Sequence, residues 1–189
     1  AALIMTFVIY QNSTPQEKTS QEVRQSAIDP VFTLVNHNGE TVNEETYRDK
    51  WLLVFFGFTH CPDICPTTLS EISQVMENLG PDADKVQPLF VTVDPERDTP
   101  EVMKEYVSNF HASIIGLTGD EAQIRDAADN FRIFYNRREN KDAPDGYFMN
   151  HSSILYFIDP EGRFVEPFRY EEKPGTISKE IRQYMENKS

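Results

Sequence analysis

The sequence predicts an α/β domain in which a mixed β-sheet is covered by helices on both faces. The unbroken apolar run WLLVFF at 51–56 has the pattern of a central strand that is buried on both sides, and LFVTV at 89–93 is predicted to be a second buried strand. Each run is followed by apolar residues at helical spacing. The chain has 189 residues, a length that suits one core, and the domain is predicted at 28–189.

The domain is expected to begin with a β-hairpin added on the N-terminal side. Apolar positions at 31–35 and 41–42 flank the dipeptide Asn38-Gly39. Asn-Gly readily adopts the positive φ angles of a tight turn, so these two short runs are predicted to pair as antiparallel strands.

Four helices are predicted from their apolar stripes. Thr68 and Glu71 have the spacing of a capping box at the start of the first helix. Thr99 and Pro100 have the residue types of an N-cap and a first helical position for the second. The stripes are Leu69, Ile72, Val75, Met76 and Leu79; Val102, Met103, Tyr106, Val107 and Phe110; Ile124, Ala127, Ala128 and Phe131; and Ile177, Ile181, Tyr184 and Met185.

The segment between the third and fourth helices combines a loop with a second hairpin. Residues 136–145 are mostly charged and show no periodicity, so they are predicted to form an exposed loop. The apolar run ILYFI at 154–158, the turn DPEG at 159–162 and the pair 164–165 predict two antiparallel strands.

The acidic balance of the chain limits its partners. The formal net charge is −13, which repels phosphate backbones and anionic lipid headgroups, so nucleic acid is not expected as a partner. A basic protein surface or a cationic ligand would suit this charge, although acidity also serves solubility alone.

The N-terminal residues differ in composition from the rest. Residues 1–10 are almost wholly apolar but too few to span a bilayer, which takes roughly 20 residues. We expect them to be the remnant of an N-terminal membrane anchor or signal segment, with a docked helix or a frayed end as the alternative. The polar residues 11–27 are expected to be a linker.

The two cysteines of the chain form a local pair. Cys61 and Cys65 follow the strand at 51–56, at the start of the first predicted helix, which is the arrangement seen in thioredoxins. A helix N-terminus favours the anionic thiolate, so both sulfurs are expected to ionise readily. A spacing of four residues brings both side chains to one side of a helical turn, within reach of each other or of a common ion.

The pair permits either a redox disulfide or a metal site. Thioredoxin-type reductants normally have two intervening residues, whereas Cys61 and Cys65 have three. Soft thiolates suit Cu(I), and an added imidazole also allows Cu(II) or Zn(II). A third ligand would therefore distinguish the two interpretations.

Histidine could provide this third ligand, and the chain has 4 histidines. His37 and His111 are expected to be exposed, at a turn and after a helix end. His60 adjoins the first cysteine but is expected to point away from it. His151 directly precedes the strand at 154–158, near the point where thioredoxins place a cis-proline opposite their cysteines. An imidazole there would face the thiol pair.

Three motifs in order resemble the Sco/SenC family. They are GFTHCPDICP at 57–66, VTVDPERDTP at 91–100 and the segment from His151-Ser152-Ser153 to Gly162. The resemblance runs from about residue 28 to the last helix.

The resemblance implies a thioredoxin-like copper metallochaperone. It implies that Cys61, Cys65 and His151 bind one copper ion, as Cu(I) or Cu(II), and that the protein delivers it to the copper A site of cytochrome c oxidase. Other copper chaperones or thiol reductants are further expected partners. The resemblance also implies a membrane-anchored protein with its domain outside the cytoplasm, in the periplasm or the mitochondrial intermembrane space. A monomer is expected.

Asp94, Arg97 and Asp98 lie in the second motif. They are candidate groups that face a partner or support the site, and they could equally cap the following helix.

Two enzymatic alternatives remain beside the chaperone. A thiol-disulfide oxidoreductase would use Cys61 and Cys65 to reduce the cysteines of a target copper site. A peroxiredoxin-like peroxidase normally has a Thr-x-x-Cys pattern, and Phe58 occupies the position of that threonine here. The oxidoreductase is therefore the stronger alternative.

Overall fold

The computed structural model describes residues 28–143, 145–169 and 172–188. The expected anchor remnant at 1–10 and the linker at 11–27 lie outside these residues. No helix in the described ranges combines the length and the apolar character needed to cross a membrane.

The structure confirms the predicted α/β fold. Its helices are α1 (Ile64–Leu79), α2 (Pro100–Val107), α3 (Glu121–Asn130) and α4 (Pro174–Asn187), and short 3-10 helices lie at Glu44–Tyr47 and Gly80–Lys85. Its strands are β1 (Thr33–Asn36), β2 (Thr41–Asn43), β3 (Trp51–Gly57), β4 (Val86–Thr92), β5 (Ile115–Thr118), β6 (Tyr135–Glu139), β7 (Tyr147–His151), β8 (Ile154–Ile158) and β9 (Phe164–Arg169).

The central sheet is mixed, with the order β2-β1-β5-β4-β3-β8-β9. Strand β3 runs parallel to β4 and antiparallel to β8. The predicted N-terminal hairpin is confirmed, since β1 pairs antiparallel with β2 and joins the sheet through β5. All seven residues of β3 are buried, as its continuous apolar run predicts.

Helices cover both faces of this sheet because successive side chains of β3 point to opposite sides. Phe55 packs against Phe90 at a centroid distance of 6.1 Å, and Phe90 in turn packs against Tyr106 of α2. Phe56 packs against Phe131, which follows α3, at 5.1 Å. All members of the four predicted apolar stripes except Val102 lie in the core or pack against it.

The first helix begins earlier than predicted. Its N-cap is Asp63, so Thr68 lies inside the helix, where it is buried, and the proposed capping box is wrong. Pro66 marks the true start, because proline is tolerated in a first helical turn, where the missing N–H has no intrahelical partner. The prediction for α2 is confirmed, since the Thr99 side chain accepts a hydrogen bond from the backbone N–H of Val102.

The predicted loop at 136–145 is in part a β-strand, since β6 includes residues 136–139. Strand β6 pairs antiparallel with β7, in a register that sets Tyr135 opposite His151 and Glu139 opposite Tyr147. These two strands form a sheet of their own, separate from the central one. Four of the five β6 residues are exposed, so no apolar alternation marks the strand in the sequence.

His37 also differs from expectation, since it is partly buried and joins β1 to β5. Its ring Nδ1 accepts a hydrogen bond from the backbone N–H of Gly116 at 3.0 Å, and the backbone N–H of His37 donates to the Gly116 carbonyl at 2.9 Å. Burial lowers the pKa of His37, and nearby Lys104 lowers it further. The fold therefore requires the neutral imidazole.

We expect this hydrogen bond to make stability depend on pH. A lowered pKa gives full stability above the unfolded-state value of about 6.5 and a loss as the pH falls below it. In His37→Asn the amide oxygen can accept the same hydrogen bond without titrating. Urea unfolding between about pH 7.5 and pH 5 should show a steeper loss for the unmodified protein. Parallel profiles for the two proteins would contradict the expectation.

Candidate metal centre

The thiol pair lies where β3 ends and α1 begins. Cys61 is in the connecting loop and is partly exposed, whereas Cys65 is the second residue of α1 and is fully buried. The backbone N–H of Cys65 points at the Cys61 sulfur, with a distance of 3.4 Å between N and Sγ. The helix N-terminus therefore faces the more exposed sulfur.

Gly57 provides the space for the buried sulfur. A Cβ atom on this last residue of β3 would lie 2.7 Å from the Cys65 Sγ and 2.8 Å from Cε2 of Phe90. Both distances are far below a van der Waals contact, so the sulfur packs directly on the strand backbone. Sequence reasoning missed this role, although a glycine at the end of an otherwise apolar strand signals a close approach.

His151 reaches the pair from the end of β7. Its Nε2 lies 3.5 Å from the Cys65 Sγ, and its Nδ1 lies 3.1 Å from the carbonyl oxygen of Ser152. Because a carbonyl can only accept, the Nδ1 carries a proton and the Nε2 faces the sulfurs. The rings of Phe55 and Phe58 pack edgewise on the imidazole, with centroids at 6.1 and 5.8 Å.

The two thiols differ strongly in acidity. A hydrogen bond from the Cys65 side chain lowers the pKa of Cys61 to about 4, and His151 with the backbone N–H groups of Asp63 and Cys65 adds to this effect. The same hydrogen bond and burial raise the pKa of Cys65. The expectation that both thiols ionise readily is therefore wrong for Cys65, because a buried second thiolate beside the first is disfavoured. In the metal-free pair, Cys61 is the thiolate and Cys65 retains the proton.

The loop that carries Cys61 is fastened by a buried carboxylate. Asp98 accepts hydrogen bonds from the Thr59 backbone N–H at 3.0 Å, from the Thr59 hydroxyl at 2.5 Å and from the Thr92 hydroxyl at 2.5 Å. Burial raises the pKa of Asp98. Asp98 thus supports the loop, while Thr99 caps the following helix.

The other candidate residues lie around the three-residue group. His60 is exposed, and its ring nitrogens are 3.9 Å from Asp98 and 3.8 Å from Asp145. Asp94 pairs with Arg97 at 2.6 Å between Oδ2 and Nε. Sequence reasoning did not single out Tyr147, whose hydroxyl donates to Asp94 at 3.0 Å.

The geometry of the three side chains suits a small metal ion. The two Sγ atoms and a His151 ring nitrogen all lie within 4.8 Å of one another, the one such group of three or more His, Cys, Asp or Glu found among the described residues. Metal–sulfur and metal–nitrogen bonds of about 2.0–2.3 Å would separate two ligand atoms by at most about 4.6 Å. Binding therefore requires little movement. Two soft sulfurs and one imidazole are a donor set that fits copper.

Known proteins resemble this chain over almost all of the described domain. A profile of the SCO1/SenC family matches residues 20–186. The SCO2-like protein RP587 of Rickettsia prowazekii is 42% identical over 166 residues, which are 86% of this chain and 81% of that protein. The mitochondrial protein SCO2 homolog of Homo sapiens is 39% identical over 173 residues, covering 90% of this chain and 65% of that protein.

A solved structure shows the same likeness. ScoI of Bradyrhizobium japonicum, with copper bound, is 42% identical and superposes with a TM-score of 0.77 over 84% of this chain and 99% of that one. The family profile and this solved structure thus each cover most of the sequence. The chain belongs to the SCO1/SenC family.

Proposed function

We propose that this protein is a copper metallochaperone that carries one copper ion on Cys61, Cys65 and His151. The observation behind the proposal is the approach of two sulfurs and one imidazole nitrogen to within 4.8 Å of one another. Copper is cargo in this proposal and not a resident cofactor. The copper-bound ScoI of Bradyrhizobium japonicum, at 42% identity, supports copper as the metal.

The unequal burial of the ligands suits metal transfer. Cys61 is partly exposed, so a thiolate of a partner can approach from solvent, while Cys65 is shielded by β3. A three-ligand site leaves a coordination position open, which a closed four-ligand site does not. An incoming sulfur can therefore bind before Cys61 leaves.

We propose that the copper is delivered to the copper A site of cytochrome c oxidase, so the oxidase subunit that carries this site is the main partner. Other copper chaperones or thiol reductants are the further proposed partners. The domain would stand outside the cytoplasm on an N-terminal membrane anchor. The Homo sapiens relative is a mitochondrial protein, and the family resemblance supports both the destination and the location. We propose a monomer.

The difference in acidity between the thiols favours a second candidate function. The Cys61 thiolate could attack a disulfide of a target copper site and form a mixed disulfide, releasing one target thiolate. Cys65 would then displace the second target sulfur, leaving the target reduced and the Cys61–Cys65 pair oxidised. An oxidised pair cannot bind copper, so the two functions can alternate in one protein.

The His151→Ala variant separates the two functions. We expect it to weaken Cu(I) binding by roughly ten- to a hundredfold, because one ligand is lost and both sulfurs stay. Reduction of a model disulfide should continue at a similar rate. Anaerobic competition with a chromophoric Cu(I) chelator measures the first property and a dithiol exchange assay the second.

His60→Ala is the matched control, since this exposed imidazole adjoins Cys61 but lies outside the three-residue group. It should bind copper as the unmodified protein does. If the unmodified protein does not compete with the chelator, or if His151→Ala binds copper equally well, the chaperone proposal fails and the oxidoreductase becomes the better assignment.

A further inference from the structure

We infer that Arg97 is a positioning residue, which acts through Tyr147 to keep the β6–β7 ribbon, and with it His151, against the two cysteines. The inference rests on the proposed function for its copper-dependent part. Its structural part concerns the metal-free protein and can be tested by itself.

The ribbon needs such a support because no strand ladder ties it to the central sheet. In the described part of the chain, β7 pairs with β6 alone. Four of the five β6 residues are exposed, so β6 adds little buried surface. Only two residues separate His151 from β8, so side-chain contacts that hold the ribbon to the domain add to this short link in setting the position of the imidazole.

Arg97 supplies such contacts at the other end of β7. Its side chain is 10% exposed, and its Nε donates to the Asp94 carboxylate at 2.6 Å. Its guanidinium carbon lies 3.9 Å from the centroid of the Tyr147 ring. The Tyr147 hydroxyl donates to the other oxygen of Asp94 at 3.0 Å. Asp94, Arg97 and Tyr147 therefore fix one another, with Tyr147 as the first residue of β7.

A second contact leads from Arg97 to the imidazole. The guanidinium carbon is 6.0 Å from the centroid of the Phe58 ring, and Phe58 packs edgewise on His151. Phe58 also belongs to the loop that leads to Cys61. Arg97 thus lies between the segment that carries the thiols and the strand that carries the histidine.

Tyr147 has a second cation–π contact, with Arg137. Its guanidinium carbon is 3.6 Å from the same ring, and two guanidinium groups this close to one ring occupy its opposite faces. Arg137 is on the solvent side, with 46% of its side chain exposed. A cation–π contact is stronger where the cation is desolvated, so Arg97 is the main support.

The test compares two variants that remove the support from opposite sides. Arg97→Met removes the cation, although it leaves the buried Asp94 without its ion pair and can lower stability. Tyr147→Leu removes the ring and keeps the pair of Asp94 with Arg97. Arg138→Met is the matched control, because it lies next to Arg137 on β6, points to the opposite face of the ribbon and is exposed.

The first readout is amide hydrogen exchange in the metal-free proteins. Both variants should increase exchange in residues 147–151 by about tenfold or more, which corresponds to the loss of one desolvated cation–π contact. Exchange in β3 and β4 should stay unchanged, as should all exchange in Arg138→Met. Unchanged exchange in the ribbon of both variants would overturn the inference.

The second readout is the rate of Cu(I) release to a chelator. Both variants should release copper faster, up to the rate of His151→Ala, and should have no further effect when combined with His151→Ala. If the effect of Arg97→Met persists in full in that background, Arg97 does not act through His151 and the inference fails. If the unmodified protein binds no copper, the proposed function is wrong, but the hydrogen-exchange result still tests the structural part of the inference.

Discussion

Replacing either cysteine by serine should abolish tight Cu(I) binding. A hydroxyl is a hard, neutral ligand at neutral pH, whereas Cu(I) prefers soft thiolates. We expect the affinity to fall by at least a factor of about 100, more than the loss of His151, because each substitution leaves a single sulfur. Chelator competition under anaerobic conditions measures the change, and circular dichroism tests whether each variant is folded.

The two variants should differ in the burial and acidity of the one thiol that remains. Cys61→Ser leaves a buried thiol whose pKa no longer has an adjacent thiolate to raise it, while Cys65→Ser leaves an exposed thiolate at the helix N-terminus. Copper bound one-to-one with unchanged affinity in either variant would show that the metal is held elsewhere.

Alkylation should distinguish Cys61 from Cys65 by a large factor. The pKa of Cys61 is lowered to about 4, so its thiolate is fully formed between about pH 6 and pH 8. Its reaction with iodoacetamide should therefore be nearly independent of pH in this range, whereas an ordinary thiol with a pKa of about 8.5 reacts about tenfold faster for each added pH unit. Cys65, buried and with a raised pKa, should remain unmodified in the folded protein.

Mass spectrometry of the digested protein locates the label and gives the rate at each pH. Cys65→Ala provides the comparison, because it removes the hydrogen bond that contributes most to the low pKa of Cys61. Its Cys61 should react with a rate that rises through neutral pH. Equal labelling of both cysteines in the folded unmodified protein would contradict the proposed division of roles.

The buried parts of the fold were predictable from sequence because buried positions are occupied mostly by apolar residues, whose spacing is visible in the sequence. Strand β3 is buried at all seven positions and reads as an unbroken apolar run. The stripes of α1 and α4 likewise follow helical spacing. These elements owe their positions to the hydrophobic effect, which acts on residue types that a sequence displays.

The ribbon was not predictable in the same way. The backbone ladder between β6 and β7 and the contacts of Tyr147 hold it in place, and neither depends on apolar alternation. The charged residues of β6 therefore looked like those of a loop. The sequence does contain one signal, which is that arginine residues of β6 face aromatic residues of β7, as Arg137 faces Tyr147. This signal can be recognised only once the register of the two strands is known.

The acidity of the thiols also depended on three-dimensional detail. A helix N-terminus predicts a lowered pKa for a nearby cysteine, but the pKa of Cys61 is lowered mainly by the hydrogen bond from the Cys65 side chain, and the backbone N–H groups at the helix start contribute less. Cys65 is in the helix itself but packs on Gly57, away from solvent, and it shares a proton with its neighbour. Only the packing of the strand and the helix determines which sulfur is buried.

The separation of the ribbon from the central sheet has a consequence for biosynthesis. His151 follows Cys65 by 86 positions, so a chain emerging from the ribosome presents both thiols well before the imidazole exists. The loop, α1 and the pair β3 and β4 can form from residues already made, whereas the ribbon, like β8 on the other side of β3, must wait for later residues. A newly made chain therefore passes through a period in which its sulfurs are present without their third ligand, and in that period the two thiols can be oxidised to a disulfide before the metal site is complete.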